Sequence, residues 1–210
     1  MKIQLVFLQS NNGVKMKKFI VIDGLDGSGK DTQVNLLAEM YEKQGRSVTI
    51  RSHPCCDNKY GRKSKQALLK KGKLNHIKAT IYFGLDAIRS VHMYYYNKDT
   101  DVVIFSRYTM AVAYLPNVVN VIVYKIVSAV LPKSDCMFFL DVTPEESKRR
   151  IESRGDDEEM FDSLESLKKV RSRTTKVTYE WNVIPGDDSA EIISQKIINK
   201  CLETDNKLLT

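Results

Sequence analysis

FIVIDGLDGSGKDTQ, residues 19–33, is the stretch that decides the fold. Its opening FIVID is a continuous apolar run rich in β-branched residues, the mark of a strand covered on both faces in a parallel sheet. A glycine-rich turn follows at once. DTQVNLLAEMYEKQG (31–45) then places Val34, Leu37, Met40 and Tyr41 on one face of a helix, with Gly45 as its natural end. Between strand and helix, Gly24, four residues, Gly29 and Lys30 fit G-x-x-x-x-G-K, the spacing of a phosphate-holding loop. Glycines let the backbone turn its N–H groups inward, the helix N-terminus adds positive potential, and the lysine reaches the outer phosphates. One residue departs from that pattern: Asp31 stands where a hydroxyl normally helps to hold a metal ion.

Outward from this unit, strands and helices alternate. SVTIRS (47–52) reads as a second strand, and residues 62–96 carry two helical patterns. In the second pattern Ile77, Ile81, Leu85 and Ile88 recur at spacings of three and four and are expected to form core. DVVIFSRY (101–108) and CMFFLDV (136–142) are further buried strands. Their polar tips fall where ligands bind in open α/β sheets, beyond the carboxyl ends of the strands. AVAYLPNVVNVIVYKIVSAVL (111–131) is unusually apolar, but Pro116, Asn117, Asn120 and Lys125 interrupt it, so a buried or dimer-forming helix is expected rather than a membrane span. In TPEESKRRIESRG (143–155), Thr143 and Glu146 make a capping box, Pro144 takes the first helical position and Gly155 ends the helix. Asp162 and Glu165 are expected to start another, with Leu164, Leu167 and Val170 inward. A short strand near WNVIP (181–185) precedes a helix begun by Ser189, with Ile192, Ile193, Ile197 and Cys201 apolar. The alternation predicts one three-layer α/β domain.

Bulk properties agree with that size. A chain of 210 residues, 42% hydrophobic, fills one domain. The net charge of +7 suits polyanionic substrates, because a positive cleft concentrates phosphates. No basic block rich in aromatic residues points to nucleic acid. Cys55, Cys56, Cys136 and Cys201 form no CxxC pair and no zinc-spaced cluster, and read as reduced thiols of a cytoplasmic protein. No segment offers the about 18 uninterrupted apolar residues of a membrane helix. Met16 opens a second plausible start, MKKFIVIDG, so residues 1–15 are expected to be an extension or a mis-called start, with residues 16–205 as the single domain.

IDGLDGSGKDTQ (22–33) resembles the loop of the thymidylate kinases, E-G-L-D-G-A/S-G-K-T-T-Q, within the nucleoside monophosphate kinases. The resemblance implies a three-layer P-loop kinase fold, with a mostly parallel five-stranded sheet flanked by helices and a short lid near residues 149–162. It also implies ATP-dependent phosphorylation of a nucleoside monophosphate, dTMP to dTDP, with ATP as donor, Mg²⁺ as cofactor and a homodimeric state. ATP would be held by Gly24, Leu25, Asp26, Gly27, Ser28, Gly29, Lys30, Asp31 and Thr32. Adenylate kinases carry K-G-T-Q, without a hydroxyl directly after the lysine. Thr32 is in register with the threonine they retain, so Thr32, and Asp31 through water, are the metal candidates.

SRYTMAVAY (106–114) resembles the family's D-R-Y-x-x-S-x-x-A-Y: Arg107 and Tyr108 match, and Ser106 replaces the aspartate. The resemblance gives Arg107 the acceptor phosphate and Asp26 the acceptor sugar. Phe83, in YFGLDAIRS (82–90), falls where the family stacks a ring on the base. Ala87 occupies the family's arginine position and Arg89 comes two residues later, a turn of about 200° around a helix. Asp26, Phe83, Arg89, Arg107 and Tyr108 are thus the acceptor candidates. SHPC (52–55) keeps only Pro54 of the family's R-E-P, with Arg51 displaced by one and His53 between. Arg149, Arg150 and Arg154 resemble the lid, and Lys30, Arg107 and Arg154 form the catalytic set. Two alternatives remain open on Asp31, Ala87 and Ser106: a nucleotide-binding, catalytically weak paralogue with a regulatory role, or a kinase for another nucleotide or nucleoside. NKDTD (97–101) lacks the aspartate of a guanine-reading N-K-x-D at residue 100.

Overall fold

The computed structural model describes residues 17–70, 72–115, 117–134, 136–155 and 162–207. The expected extension at 1–15 and residues 156–161 of the expected lid lie outside them. Five strands, β1 (Lys18–Gly24), β2 (Val48–Ser52), β3 (Val102–Ser106), β4 (Cys136–Asp141) and β5 (Asn182–Pro185), form one sheet in the order β2-β3-β1-β4-β5. Every pairing is parallel, so the sheet goes beyond the mostly parallel expectation. Seven α-helices flank it among the described residues: α1 (Lys30–Lys43), α2 (Lys59–Leu68), α3 (Lys73–Ser90), α4 (Asn117–Val130), α5 (Pro144–Arg154), α6 (Leu164–Thr174) and α7 (Ala190–Lys207).

β1 sits at the centre, and its alternation divides the core in two. Ile20 and Ile22 face Val34 and Leu37 of α1 and Ile193 and Ile197 of α7. Phe19 and Val21 face the other way, into Phe105, Tyr108, Tyr124 and Trp181. Strand side chains alternate faces, so a run that is apolar at every position is what a strand buried on both sides requires. From β1 the chain crosses to β2 and returns to β3 on one side of β1, and from β3 it crosses to β4 on the other side. This is the switch point at which open α/β sheets form their crevice.

Three helix faces differ from the sequence reading. On α3, Ile77, Ile81, Leu85 and Ile88 are 54%, 56%, 38% and 52% exposed, so the expected core stripe lies outside. The buried face is Ala79, Asp86, Ala87 and Ser90, with Phe83 partly covered. Asp86 earns its burial by accepting hydrogen bonds from the Cys55 N–H and from Asn58 Nδ2, both at 2.7 Å. Both rows have helical spacing; small and hydrogen-bonded side chains win the inner face because α2 packs close. On α6, Ser163 rather than Asp162 is the N-cap, accepting from the Ser166 N–H, and Leu164 stays partly exposed beside buried Leu167 and Val170. On α7, Ile192 is exposed while Ile193, Ile197 and Cys201 are buried. α4 is two-sided, with Tyr124 buried and Val119, Ile122, Ile126 and Val130 exposed. No helix among the described residues is long and apolar enough to cross a membrane.

Candidate active site

The loop between β1 and α1 is shaped by contacts that only glycine permits. At Gly27, φ is +79°, and a Cβ would lie 2.6 Å from the Ser147 carbonyl oxygen. At Gly24 a Cβ would lie 2.6 Å from the Leu140 carbonyl oxygen. Helix α5 backs the loop: the Ser147 hydroxyl donates to the Asp26 carbonyl, and Arg150 donates to Gly27 O at 3.4 Å and Gly186 O at 3.2 Å. Gly29, at φ 90°, is the N-cap of α1 and supplies no side chain, which leaves the first-turn N–H groups available to an anion. Ser28 Oγ is buried without a hydrogen-bond partner, an orphaned donor of the kind a bound oxyanion satisfies.

Lys30 is buried and folded back on the loop, donating to Gly24 O at 3.0 Å and Leu25 O at 2.6 Å. Burial pushes its ammonium below the usual lysine range, and Arg107 pushes the same way against Asp26, Asp23 and Asp31. Asp26 is the hub. Its Oδ1 accepts from Arg107 Nη2 at 2.7 Å and lies 3.5 Å from Lys30 Nζ, and its Oδ2 accepts from the Tyr114 hydroxyl at 3.1 Å. Burial works to raise the Asp26 pKa, but Arg107 and Lys30 overcome it and hold the carboxyl well below the usual range. Burial likewise opposes the charge on Arg107, and Asp26 more than offsets it, keeping the guanidinium charged. Arg107 adopts φ 57°, the left-handed region that is uncommon for non-glycine residues and gathers at functional sites. Beneath it, Asp23 accepts from the Tyr108 and Gly24 N–H groups, both at 2.9 Å; burial raises its pKa.

Two cavities meet over this network. One, about 470 Å³, is lined by the loop from Gly27 to Thr32 with Arg150, Ser153 and Arg154 of α5. The other, about 500 Å³, is lined by Asp26, Ser52, His53, Ser64, Leu68, Phe83 and Tyr114. Asp31, Arg107 and Arg154 line both. Volumes of this size suit small ligands with a few convergent polar groups. His53 closes one wall: its Nδ1 bonds the Arg107 carbonyl at 2.9 Å, and burial lowers its pKa to about 4, keeping the ring neutral.

Of the residues expected from sequence, Lys30, Asp26, Asp31, Thr32, Phe83, Arg107 and Arg154 converge on the two cavities. Tyr108 does not. Its ring packs in the core against Phe19 and Phe105, and its hydroxyl donates to Pro132 O at 3.2 Å, so it serves the site only through the N–H that holds Asp23. Arg89 is also absent from the cavity lining. Its Nη1 is buried without a partner, and its charge acts on Asp57, consistent with its rotation about α3. Arg149 is exposed and paired with Glu146 at 2.7 Å. Sequence reading missed Asp23 and Tyr114, and it named Arg150 only among the lid arginines, whereas Arg150 backs the loop at Gly27 O and Gly186 O. Tyr114 could have been found, since it ends the same SRYTMAVAY stretch; Asp23 reads as strand, and Arg150 depends on how α5 packs.

A sequence model described as thymidylate kinase matches residues 22–197. The chain is 32% identical over 197 residues to a probable thymidylate kinase 1 of Saccharolobus solfataricus, covering 89% of this chain and 100% of that one. It is 27% identical to a thymidylate kinase of Leptospira interrogans, covering 90% of this chain and 95% of the relative. Among solved structures, a thymidylate kinase from Candida albicans superposes with a TM-score of 0.70 at 19% identity, over 90% of this chain and 92% of that one, a likeness of fold.

Proposed function

The chain belongs to the thymidylate kinase family and is a phosphotransferase, and on that premise we propose that it transfers the γ-phosphoryl group of ATP to dTMP. The observation that carries this reading is the meeting of a phosphate-loop cavity and a second cavity at Asp31, Arg107 and Arg154. ATP occupies the loop side. Lys30 exchanges the carbonyls of Gly24 and Leu25 for phosphate oxygens, and Ser28 and the first-turn N–H groups of α1 complete the cradle. The monophosphate occupies the other side, its phosphate on Arg107, its sugar near Asp26 and Tyr114, and its base toward Phe83 and His53. Arg154, from the segment we propose as a lid over 149–162, stabilises the charge that spreads over the transferring group. Positioning and charge neutralisation supply the acceleration, and no covalent intermediate is needed.

The donors near the loop fit Mg²⁺, a hard cation that prefers oxygen and keeps several waters. Thr32 offers a hydroxyl, and Asp31 offers a carboxylate on the lip shared by the two cavities. When bound, Mg²⁺ neutralises charge on the ATP phosphates. The two residues' part is to hold its water shell between donor and acceptor.

The apolar rows on α3 and α4 support a homodimer. Ile77, Ile81 and Ile88 on one helix and Ile122, Ile126 and Val130 on the other are each more than half exposed, apolar rows of the kind that a partner surface covers. ATP use and four free cysteines favour the cytoplasm. A coupled ADP-formation assay with Mg·ATP and dTMP, dUMP, UMP, dCMP, dAMP, dGMP and thymidine tests the reaction. We expect the highest kcat/KM with dTMP. ATP binding without ADP formation from any acceptor overturns the reading, and a preference for another acceptor overturns its substrate.

A further inference from the structure

In phosphate-loop nucleotide enzymes two kinds of group serve the metal ion: a hydroxyl directly after the loop lysine, and a carboxylate from elsewhere in the site. Here the types at two facing positions are reversed. Asp31 follows Lys30, and Ser106 ends β3, the strand paired to β1 with Ser106 opposite Ile22. The two side chains meet, Ser106 Oγ donating to Asp31 Oδ1 at 3.4 Å. The Ser106 residue is fully buried, whereas the Asp31 carboxylate stands on the lip shared by both cavities.

The cations that face Asp31 are engaged elsewhere. Lys30 holds the loop carbonyls and Arg107 holds Asp26. In the first turn of α1 a negative charge is favoured by the helix dipole, which makes Asp31 inexpensive in the empty protein. Beside a triphosphate the balance changes. Like charges repel more strongly in the reduced dielectric of a cleft than in water, so a fixed carboxylate there opposes ATP unless a cation lies between.

Resting on the Mg·ATP reading above, we propose that Asp31 and Ser106 have exchanged roles: Asp31 is the carboxylate that binds the Mg²⁺ water shell, and Ser106 is the positioning hydroxyl that aims it. The residue that looks like damage to the loop is then half of a reciprocal replacement. Its consequence is that neither position can be returned singly to the common pattern. A threonine at residue 31 removes the carboxylate, an aspartate at residue 106 sets a second carboxylate against the first, and only both changes together restore one of each.

A double-mutant cycle tests this, with Mn²⁺ affinity for the full-chain protein bound to a β,γ-imido ATP analogue read by electron paramagnetic resonance. Asp31→Thr is expected to weaken Mn²⁺ at least tenfold and to strengthen metal-free binding of the analogue. Asp31→Thr combined with Ser106→Asp is expected to recover Mn²⁺ affinity to within about threefold of the parent. A combined variant no better than Asp31→Thr overturns the exchange. Because Ser106 is buried, a Ser106→Asp protein that does not fold is replaced by Asp31→Asn, which removes the charge at an exposed site with little change of shape: unchanged Mn²⁺ affinity there overturns the proposal on its own. Metal affinity is read without dTMP. A chain that prefers another acceptor therefore leaves the exchange standing, while dTMP turnover with no Asp31 dependence of metal binding keeps the function and removes the exchange.

Discussion

The donor side of the site is built around one continuous loop, residues 24–32, with Arg150, Ser153 and Arg154 of α5 beside it. The acceptor side draws Asp26 from that loop, Ser52 and His53 from the end of β2, Ser64 and Leu68 from α2, Phe83 from α3 and Arg107 from the end of β3. A backbone cradle depends on local conformation and tolerates few residue types. A side-chain pocket depends on how distant segments pack, and can change specificity by changing one wall. The same contrast appears in the electrostatics. Positive charge on the donor side comes from one buried lysine, a helix end and Arg150 and Arg154 of α5, whereas the acceptor side holds a pre-formed pair, Arg107 on Asp26, steadied by Tyr114.

Breaking the donor side alone should give the largest effect. Lys30→Met is expected to lower kcat by about 10³-fold, the scale of losing a charged stabiliser of the transition state, while dTMP binding measured calorimetrically changes little. An equal loss of dTMP binding would mean the two sides are not separable. Arg107→Ala tests the converse: kcat/KM for the monophosphate should fall about 10²-fold with ATP affinity held within about threefold, and Arg107→Lys should recover part of it by restoring charge without the bidentate fork.

His53 sharpens the comparison through pH. Its pKa in the folded protein is lowered to about 4 by burial, below the ordinary value of about 6.5. The unfolded chain therefore takes up the proton first. The stability that neutral His53 contributes is present above about pH 6.5 and is lost as pH falls toward 4, by about 2 kcal/mol between pH 7 and pH 5. Denaturant titrations should show that loss, and His53→Asn, whose amide can keep the bond to the Arg107 carbonyl, should flatten it. An identical slope in the variant would assign the acid sensitivity to other groups.

Gly27→Ala should destabilise the fold by about 1–2 kcal/mol, from the left-handed backbone and the approach of Ser147, and weaken ATP more than dTMP. The smallest effect on the fold is expected from Ile81→Glu on the outer face of α3. Unfolding of the monomer should shift by less than about 0.5 kcal/mol. Light scattering should nonetheless report loss of the proposed dimer, and a parent protein that is already monomeric would remove that interface.

How much was legible follows the same division. The strand, turn and helix of residues 19–45 could be read because each local preference agrees with the next, and Thr143 capped its helix where the sequence placed it. The α3 reading inverted the helix because two rows shared one period: isoleucines on one side, Ala79, Phe83, Asp86 and Ser90 on the other. Hydrophobicity chose the first row. Packing against α2, and the hydrogen bonds that satisfy Asp86, chose the second. Tyr108 was misplaced for a related reason, since a residue just past a strand tip can turn its ring to the cavity or to the core, and of its core neighbours Phe105 lies on that same strand while Phe19 comes from β1.

By itself, the sequence determined the parallel α/β fold and the phosphate loop with Lys30, because these rest on backbone conformation and on spacing along one chain, while the candidacy of Arg107 and Arg154 came from resemblance to the thymidylate kinases. Tertiary structure alone decided which face of α3 is inside, that Arg107 is held by Asp26, which Tyr114 holds in turn, and that Asp31 meets Ser106 75 residues away. Those outcomes depend on distances between segments, and no local propensity encodes them.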